Sequence, residues 1–130
     1  MAALTGLEVA TIQANREGLA RDWSLQWGHL VVLKGAHTVV AAPDGRAWVL
    51  PFATAALAKA GTGDVLAGAI VGFCAQGVTA AEACVLAAYI HGRAGLLAAE
   101  ESGSTAGVLA GDVARRLPAA IAELEGSTAG

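Results

Sequence analysis

Cysteine is nearly missing: Cys74 and Cys84 are the only two in 130 residues. Both stand in apolar, helix-like surroundings, so they read as buried free thiols rather than a disulfide or metal pair. That usage fits a reducing compartment, and a cytoplasmic location is expected. Charge is also sparse, at 15% of residues with a formal net charge of −3, where a soluble domain carries about a quarter. No basic run and no interleaving of aromatic with basic residues occurs, which argues against a nucleic-acid partner. Uninterrupted apolar runs are too short for a membrane. Residues 65–75 fall short, and residues 83–99 contain His91 and Arg93, whereas a spanning helix needs about 20 apolar residues. Residues 1–6 lack the basic-then-apolar layout of a signal peptide. His29 and His37 form no metal-ligand spacing with each other or with either cysteine, and no protein-held metal is expected.

What the sequence has in quantity is apolar side chain, 55% of residues. The length suffices for one domain with a real core, and disorder is excluded as a general description. The apolar excess suggests surface buried against something further, either another subunit or the rest of a larger domain. Self-association is therefore expected.

Residues 5–28 read as one helix, with Ile12, Leu19, Trp23 and Trp27 on one face and Gly28 as its stop. The unbroken apolar run before Lys34 suggests a strand buried on both faces, as in parallel sheets. Residues 38–42 and 46–50 form a hairpin around Pro43-Asp44-Gly45, a turn in which proline presets one dihedral and glycine accepts a positive one. Residues 51–60 show no period and read as a loop. A helix then runs to Gly77. Thr79 with Glu82 suggests a capping box for the next helix. That helix carries a face of small residues, Ala87, Ala88, Gly92, Ala94 and Gly95, open to close approach by a neighbour. A polar loop at residues 100–104 precedes a last helix with a joint at Pro118 and a flexible tail at 126–130. Glu100 and Glu101 read as a solvated helix end. Trp23, Trp27 and Trp48 read as core or interface, and His91, on an apolar helix face, as a hydrogen-bonded packing residue.

Chemistry concentrates in two segments. Gly61-Thr62-Gly63-Asp64 opens an apolar helix. First-turn amides of a helix lack internal partners, the helix dipole draws negative charge toward them, and glycine lets a phosphate approach the backbone. The combination makes an anion hole suited to a transferred phosphoryl group. A carboxylate beside it, Asp64, needs a reason. It could act as a base toward an attacking hydroxyl, or it could be a capping residue of an ordinary helix start. The second segment, Lys34-Gly35-Ala36-His37-Thr38, lies at a strand's carboxyl end, where open α/β sheets gather ligands. Lys34 could neutralise a phosphate, Gly35 admit close approach and Thr38 donate a hydrogen bond. The plain alternative is a solvated strand end with a snorkelling lysine.

The run from Val31 through Lys34-Gly35-Ala36-His37-Thr38 to Val40, the Pro43-Asp44-Gly45 turn, the stretch from Ala56 through Gly61-Thr62-Gly63-Asp64 to Gly68, and Tyr89-Ile90-His91-Gly92-Arg93-Ala94-Gly95 together resemble the carbohydrate-kinase-related NAD(P)H-hydrate dehydratases. The resemblance spans nearly the whole chain. It implies an α/β, ribokinase-like three-layer α/β/α fold, represented over residues 1–125 by the C-terminal part of the domain. It also implies cofactor repair: ADP- or ATP-dependent dehydration of hydrated NAD(P)H, by phosphorylation of the added hydroxyl and loss of phosphate. Lys34, Gly35, Ala36, His37, Thr38 and Gly63 would contact the adenosine nucleotide. Gly61, Thr62 and Gly63 would form the anion hole, Asp64 would be base and substrate contact, and Mg2+ would accompany the nucleotide. The family's N-terminal half, with a His-Pro-Gly-Glu segment, would complete the hydrated-cofactor pocket, so the isolated chain is expected to associate with that half or with itself and to have little activity alone. The family usually has Asn-Pro where Thr54-Ala55 stand, a change expected to loosen the loop before the anion hole. Two other readings fit the same residues: a ribokinase-like kinase for a vitamin or sugar, and a non-catalytic α/β module that oligomerises through its apolar faces.

Overall fold

The computed structural model describes residues 1–128 and is mixed α/β. Its first segment is three helices rather than one: α1 (Ala2–Thr5), α2 (Val9–Ala14) and α3 (Arg16–Trp27). Gly6 ends α1 at φ 71°. Asn15 ends α2, and its side chain then accepts a hydrogen bond from Gly18 N at 3.1 Å to start α3. A short polar side chain that bonds nearby amides competes with continuous helix, and apolar periodicity does not register it. Gly28 stops α3 at φ 66°, as expected.

Strands β1 (Val31–Leu33), β2 (Val39–Ala41) and β3 (Ala47–Val49) form a sheet in that order. Both pairings are antiparallel, with Val32 opposite Val40 and Val40 opposite Trp48. The expectation of a parallel sheet from β1 is thus corrected. Connections 34–38 and 42–46 are far too short for a crossover. The burial that prompted that expectation is nonetheless present. Val31, Leu33, Val39 and Ala41 pack with Ile12 and Ala20 on one face. On the other, Val40 packs with Leu66, Cys84 and Ala87. Helices cover both faces of a small sheet, giving a three-layer arrangement. Buried Ser24 stitches two layers by donating to His29 O (2.6 Å) and Ala41 O (3.1 Å).

The expected loop at 51–60 contains a 3-10 turn, Ala55–Leu57, capped by Thr54, whose hydroxyl accepts from Ala56 N at 3.2 Å. Thr54-Ala55 therefore opens a capped turn here. Helices α4 (Thr62–Ala75), α5 (Ala80–Ser102) and α6 (Ala110–Thr128) follow. Thr79 does start α5, but without the capping box: its hydroxyl donates to the Glu82 carboxylate and caps no amide. Residues 100–102, expected as loop, continue α5. Pro118 sits inside α6 without ending it. Its ring is exposed, on a side where water can serve the carbonyl that loses its donor. Of the tail expected at 126–130, the first three residues continue α6 and the last two lie outside the described residues. Cys84 is buried as expected, but Cys74 is exposed, because α4 packs on α5 through its other side.

The small face of α5 receives the 51–57 segment. A Cβ added at Gly92 would overlap the Phe52 ring, and one at Gly95 would meet Leu57 Cδ2 at 2.7 Å. Arg93 pairs with Glu123 through Nη2–Oε1 at 3.0 Å, and Arg116 Nε donates to Glu101 at 2.7 Å, both across the α5–α6 seam. The glycines can be sorted by sign. Gly92→Ala should lower stability by about 1–3 kcal/mol through overpacking. Gly68→Ala, in helix with nothing within 4 Å of the new methyl, should raise it by about 0.5–1 kcal/mol. Chemical denaturation of both variants measures the pair.

Candidate functional site

The connection between β1 and β2 holds the first segment. Gly35 takes φ 140°, and His37 is the one non-glycine at positive φ, 52°, among the described residues. That conformation disfavours a residue with Cβ, and it persists only where the surroundings over-determine it. Here His37 N donates to Phe52 O at 2.7 Å, Thr38 Oγ1 donates to Gly35 O at 3.1 Å, and Leu50 N donates to Thr38 O at 2.9 Å. Arg16 Nη2 donates to Leu33 O (2.8 Å) and Lys34 O (3.1 Å) from below. The His37 ring is exposed and lies against the backbone, with Nδ1 3.3 Å from Leu50 O.

The second segment begins α4. Gly61 is its N-cap at φ 84°, a position where a Cβ would also come within 3.1 Å of Ala110. Thr62 is consumed by structure. Its hydroxyl points to Leu57 O (2.8 Å) and Lys59 O (2.9 Å), and its amide makes a long bond to Lys59 O (3.3 Å). Asp64 N closes back on Gly61 O at 3.1 Å. Among the described residues the Gly61 and Gly63 amides have no partner. Asp64 is exposed in the first turn of α4, and its carboxylate makes no capping hydrogen bond.

The two segments meet. A Cβ at Gly63 would collide with Lys34 Nζ and lie 3.4 Å from Lys34 Cε. The ammonium thus sits over the bare backbone of the first helical turn, held there by the absence of a side chain. Beneath it is a cavity of about 120 Å³ that Lys34, Gly35, Ala36, Thr38 and Thr62 line together with Phe52 and His91. Gly61, Gly63, His37 and Asp64 do not line it. Two cationic groups, Lys34 and Arg16, flank this end of the sheet, and neither has a carboxylate partner among the described residues. Nor do three or more His, Cys, Asp or Glu side chains gather there into a metal site. No helix among the described residues is long and apolar enough to cross a membrane.

Two residues outside the sequence-derived segments shape the site. His91 is the packing histidine expected. Its buried Nε2 bonds Thr62 O at 2.8 Å, which assigns the proton to Nε2 and pins α5 to the start of α4. Arg16 lies far back in the chain and belongs to no motif; only its place at a helix start facing the strand end could have pointed to it. Burial, opposed by the bond to Thr62 O and assisted by the nearby Lys34 charge, holds the His91 pKa below its ordinary value. The unfolded chain therefore binds the proton first as pH falls. His91's contribution to stability is complete above pH about 6.5 and is lost progressively as pH falls from there toward the lowered folded value. Thermal melts between pH 7.5 and 5 should show that decline, and His91→Gln, which keeps a donor but does not titrate, should flatten it.

A model of the carbohydrate-kinase-related NAD(P)H-hydrate dehydratase family matches residues 1–119. The bifunctional NAD(P)H-hydrate repair enzyme of Moorella thermoacetica is 42% identical over 125 residues, covering 96% of this chain and 23% of the relative. The ADP-dependent (S)-NAD(P)H-hydrate dehydratase of Neisseria meningitidis serogroup B is 44% identical over 113 residues, 87% of this chain and 38% of the relative. The crystal structure of ADP/ATP-dependent NAD(P)H-hydrate dehydratase from Bacillus subtilis, co-crystallised with ATP and Mg2+, superposes with a TM-score of 0.88 at 35% identity, covering 94% of this chain and 44% of that one. The chain spans less than half the length of each of these proteins. On the fold, the match over residues 1–119 and these identities, it belongs to the NAD(P)H-hydrate dehydratase family and represents part of that domain.

Proposed function

We propose that this chain forms the nucleotide side of an ADP- or ATP-dependent dehydratase that repairs hydrated NAD(P)H. The carrying observation is the approach of Lys34 to the bare first turn of α4 at Gly63. An ammonium and an unpaired amide converging where any side chain would clash form a cradle for a phosphate. The Lys34–Thr38 turn holds the adenosine nucleotide with its phosphates toward Gly63, and the free amides of Gly61 and Gly63 form the anion hole, with Thr62 fixing the turn between them through its own bonds. The donor set fits an anion rather than a protein-caged metal, so Mg2+ arrives on the phosphates, where it offsets charge as the phosphoryl group moves.

Asp64 then acts at the exposed edge of the cradle. Its carboxylate takes the proton from the hydroxyl of the hydrated nicotinamide as that oxygen attacks the terminal phosphorus. The bond to the nucleotide's leaving oxygen breaks. The carbon–oxygen bond of the new phosphate ester then breaks, phosphate leaving with the bonding pair, and the ring double bond returns as the adjacent carbon loses a proton. The pocket for the hydrated cofactor is completed by further protein surface. Leu4, Val9, Val71 and Leu109, each more than 60% exposed, support association with such a surface or with a second copy. A cytoplasmic location belongs to the same proposal.

Calorimetric titration with ADP and ATP in the presence of magnesium tests the reading. Gly63→Val should weaken binding at least tenfold, on the order of 1.4 kcal/mol or more. Asp64→Asn should leave binding within a few-fold while abolishing turnover of hydrated NADH in an assembly that turns over. A wild-type chain that binds neither nucleotide, or a Gly63→Val variant that binds as well as wild type, would sink it.

A further inference from the structure

We infer that Arg16 is a positioning residue for nucleotide binding: it holds the Lys34–Thr38 turn in its binding conformation from the side opposite the ligand. This rests on the reading of that turn as the nucleotide's cradle. Arg16 is the first residue of α3, and it reaches across to the end of β1. One nitrogen, Nη2, donates to both Leu33 O and Lys34 O, at 2.8 and 3.1 Å. The other, Nη1, donates to Gln13 Oε1 at 3.2 Å. Those two carbonyls belong to Leu33, the last strand residue, which pairs with Val39, and to Lys34, the first residue beyond the β1–β2 ladder. A planar guanidinium fixes the direction of both peptide planes at once, which a flexible donor would not.

The neighbouring geometry depends on that grip. Gly35, at φ 140°, lies flat on the guanidinium: a Cβ there would fall 3.1 Å from Nη2 and 3.3 Å from Nη1. Two residues on, His37 holds a left-handed conformation that is unfavourable for a residue with Cβ. A strained turn of this kind needs restraint at both ends. Phe52 O and Thr38 supply it on the downstream side; upstream, Arg16 holds Leu33 O and Lys34 O in addition to the pairing of Leu33 with Val39. The side chain is also held at a cost. Its Nε is buried without a partner, and the guanidinium has no carboxylate among the described residues. An ion kept partly desolvated with no counter-charge is unfavourable unless a further role offsets it. Here the role is to orient Lys34 and the Gly35–His37 amides toward an anion, with its own charge adding to the field behind them.

The test compares Arg16→Met, Arg16→Lys and, as a charge control on the same helix, Arg21→Met, whose native side chain pairs with Glu17 at 2.9 Å. ADP with magnesium is titrated by calorimetry, and the amide signals of Gly35, Ala36 and His37 are followed by NMR. Arg16→Met should bind at least tenfold more weakly, with those three signals shifted or broadened before any ligand is added. Arg16→Lys, which can still donate to the strand-end carbonyls, should recover part of the affinity. Arg21→Met should bind within twofold of wild type. Arg16→Met binding within twofold of wild type would overturn the inference while leaving the nucleotide reading intact. Equal weakening in Arg21→Met would reduce the effect to net charge and overturn it too. If Arg16→Met loses its fold by circular dichroism and Arg16→Lys, folded, shows wild-type signals with no loss of affinity relative to wild type, Arg16 is a stability residue only and the inference fails. A wild-type chain that binds no ADP overturns the nucleotide reading and this inference together.

Discussion

The site depends on one close approach: the ammonium of Lys34 over the backbone of Gly63. Nothing local brings these groups together. Lys34 ends a strand, and Gly63 starts a helix after a hairpin and an irregular segment. Their meeting requires the sheet to place its β1 end beside the helical layer, and the α4 start to be pinned in depth. The pin is His91, reaching from the middle of α5 to Thr62 O. α5 can sit close enough to do this because Gly92 and Gly95 admit Phe52 and Leu57 where side chains would clash. Glycine therefore acts twice, once at Gly63 to leave room for a ligand and once on α5 to bring the supporting helix in.

Electrostatics gives this arrangement its sign. Lys34 faces the site and Arg16 lies behind it, both without a carboxylate partner among the described residues, while the exposed carboxylates of the α5–α6 seam are engaged by Arg93 and Arg116. Arg21, Arg46, Arg93, Arg115 and Arg116 have carboxylate partners, while Lys59, like Lys34 and Arg16, has none among the described residues. In a chain with a net negative charge, a local surplus of unpaired positive groups at a strand end is a designed imbalance. The free Gly61 and Gly63 amides add to it at the positive end of the α4 dipole. Asp64 opposes it from the rim, so an anion gains from the cradle's centre and a proton acceptor remains at its edge.

Much of this was legible in the sequence, because the relevant signals are short-range. The glycine spacing at 61–63 encodes a helix start with bare backbone, and the β-branched run before Lys34 encodes a strand covered on both faces. The Pro43-Asp44-Gly45 turn formed as read, with Asp44 accepting from Arg46 N at 3.0 Å. What was lost is information that periodicity averages away. Asn15 splits an apolar helical pattern without disturbing it. Continuous strand burial does not distinguish parallel from antiparallel pairing; only the short 34–38 connection does. Pro118 stayed inside α6 because its face is solvated. Cys74 shares the apolar surroundings of Cys84 in sequence but not its side of the packed helices.

Arg16 marks the deeper limit. Its part in the site arises from a single hydrogen-bonding fork between a helix start and a strand end, and no motif announces it. A residue of this type becomes visible only through the carbonyls it serves. The chain leaves the β1–β2 ladder after Leu33, so the Lys34 carbonyl needs a donor, and the left-handed turn after it needs an upstream restraint. Any sequence that keeps the Lys34–Thr38 turn must meet both demands, with arginine at this position or with another donor of comparable reach. The proposed nucleotide cradle is therefore specified at two levels. Lys34 and Gly63 present charge and bare backbone to the ligand, and behind them Arg16 and His91 fix the peptide planes from which those groups project.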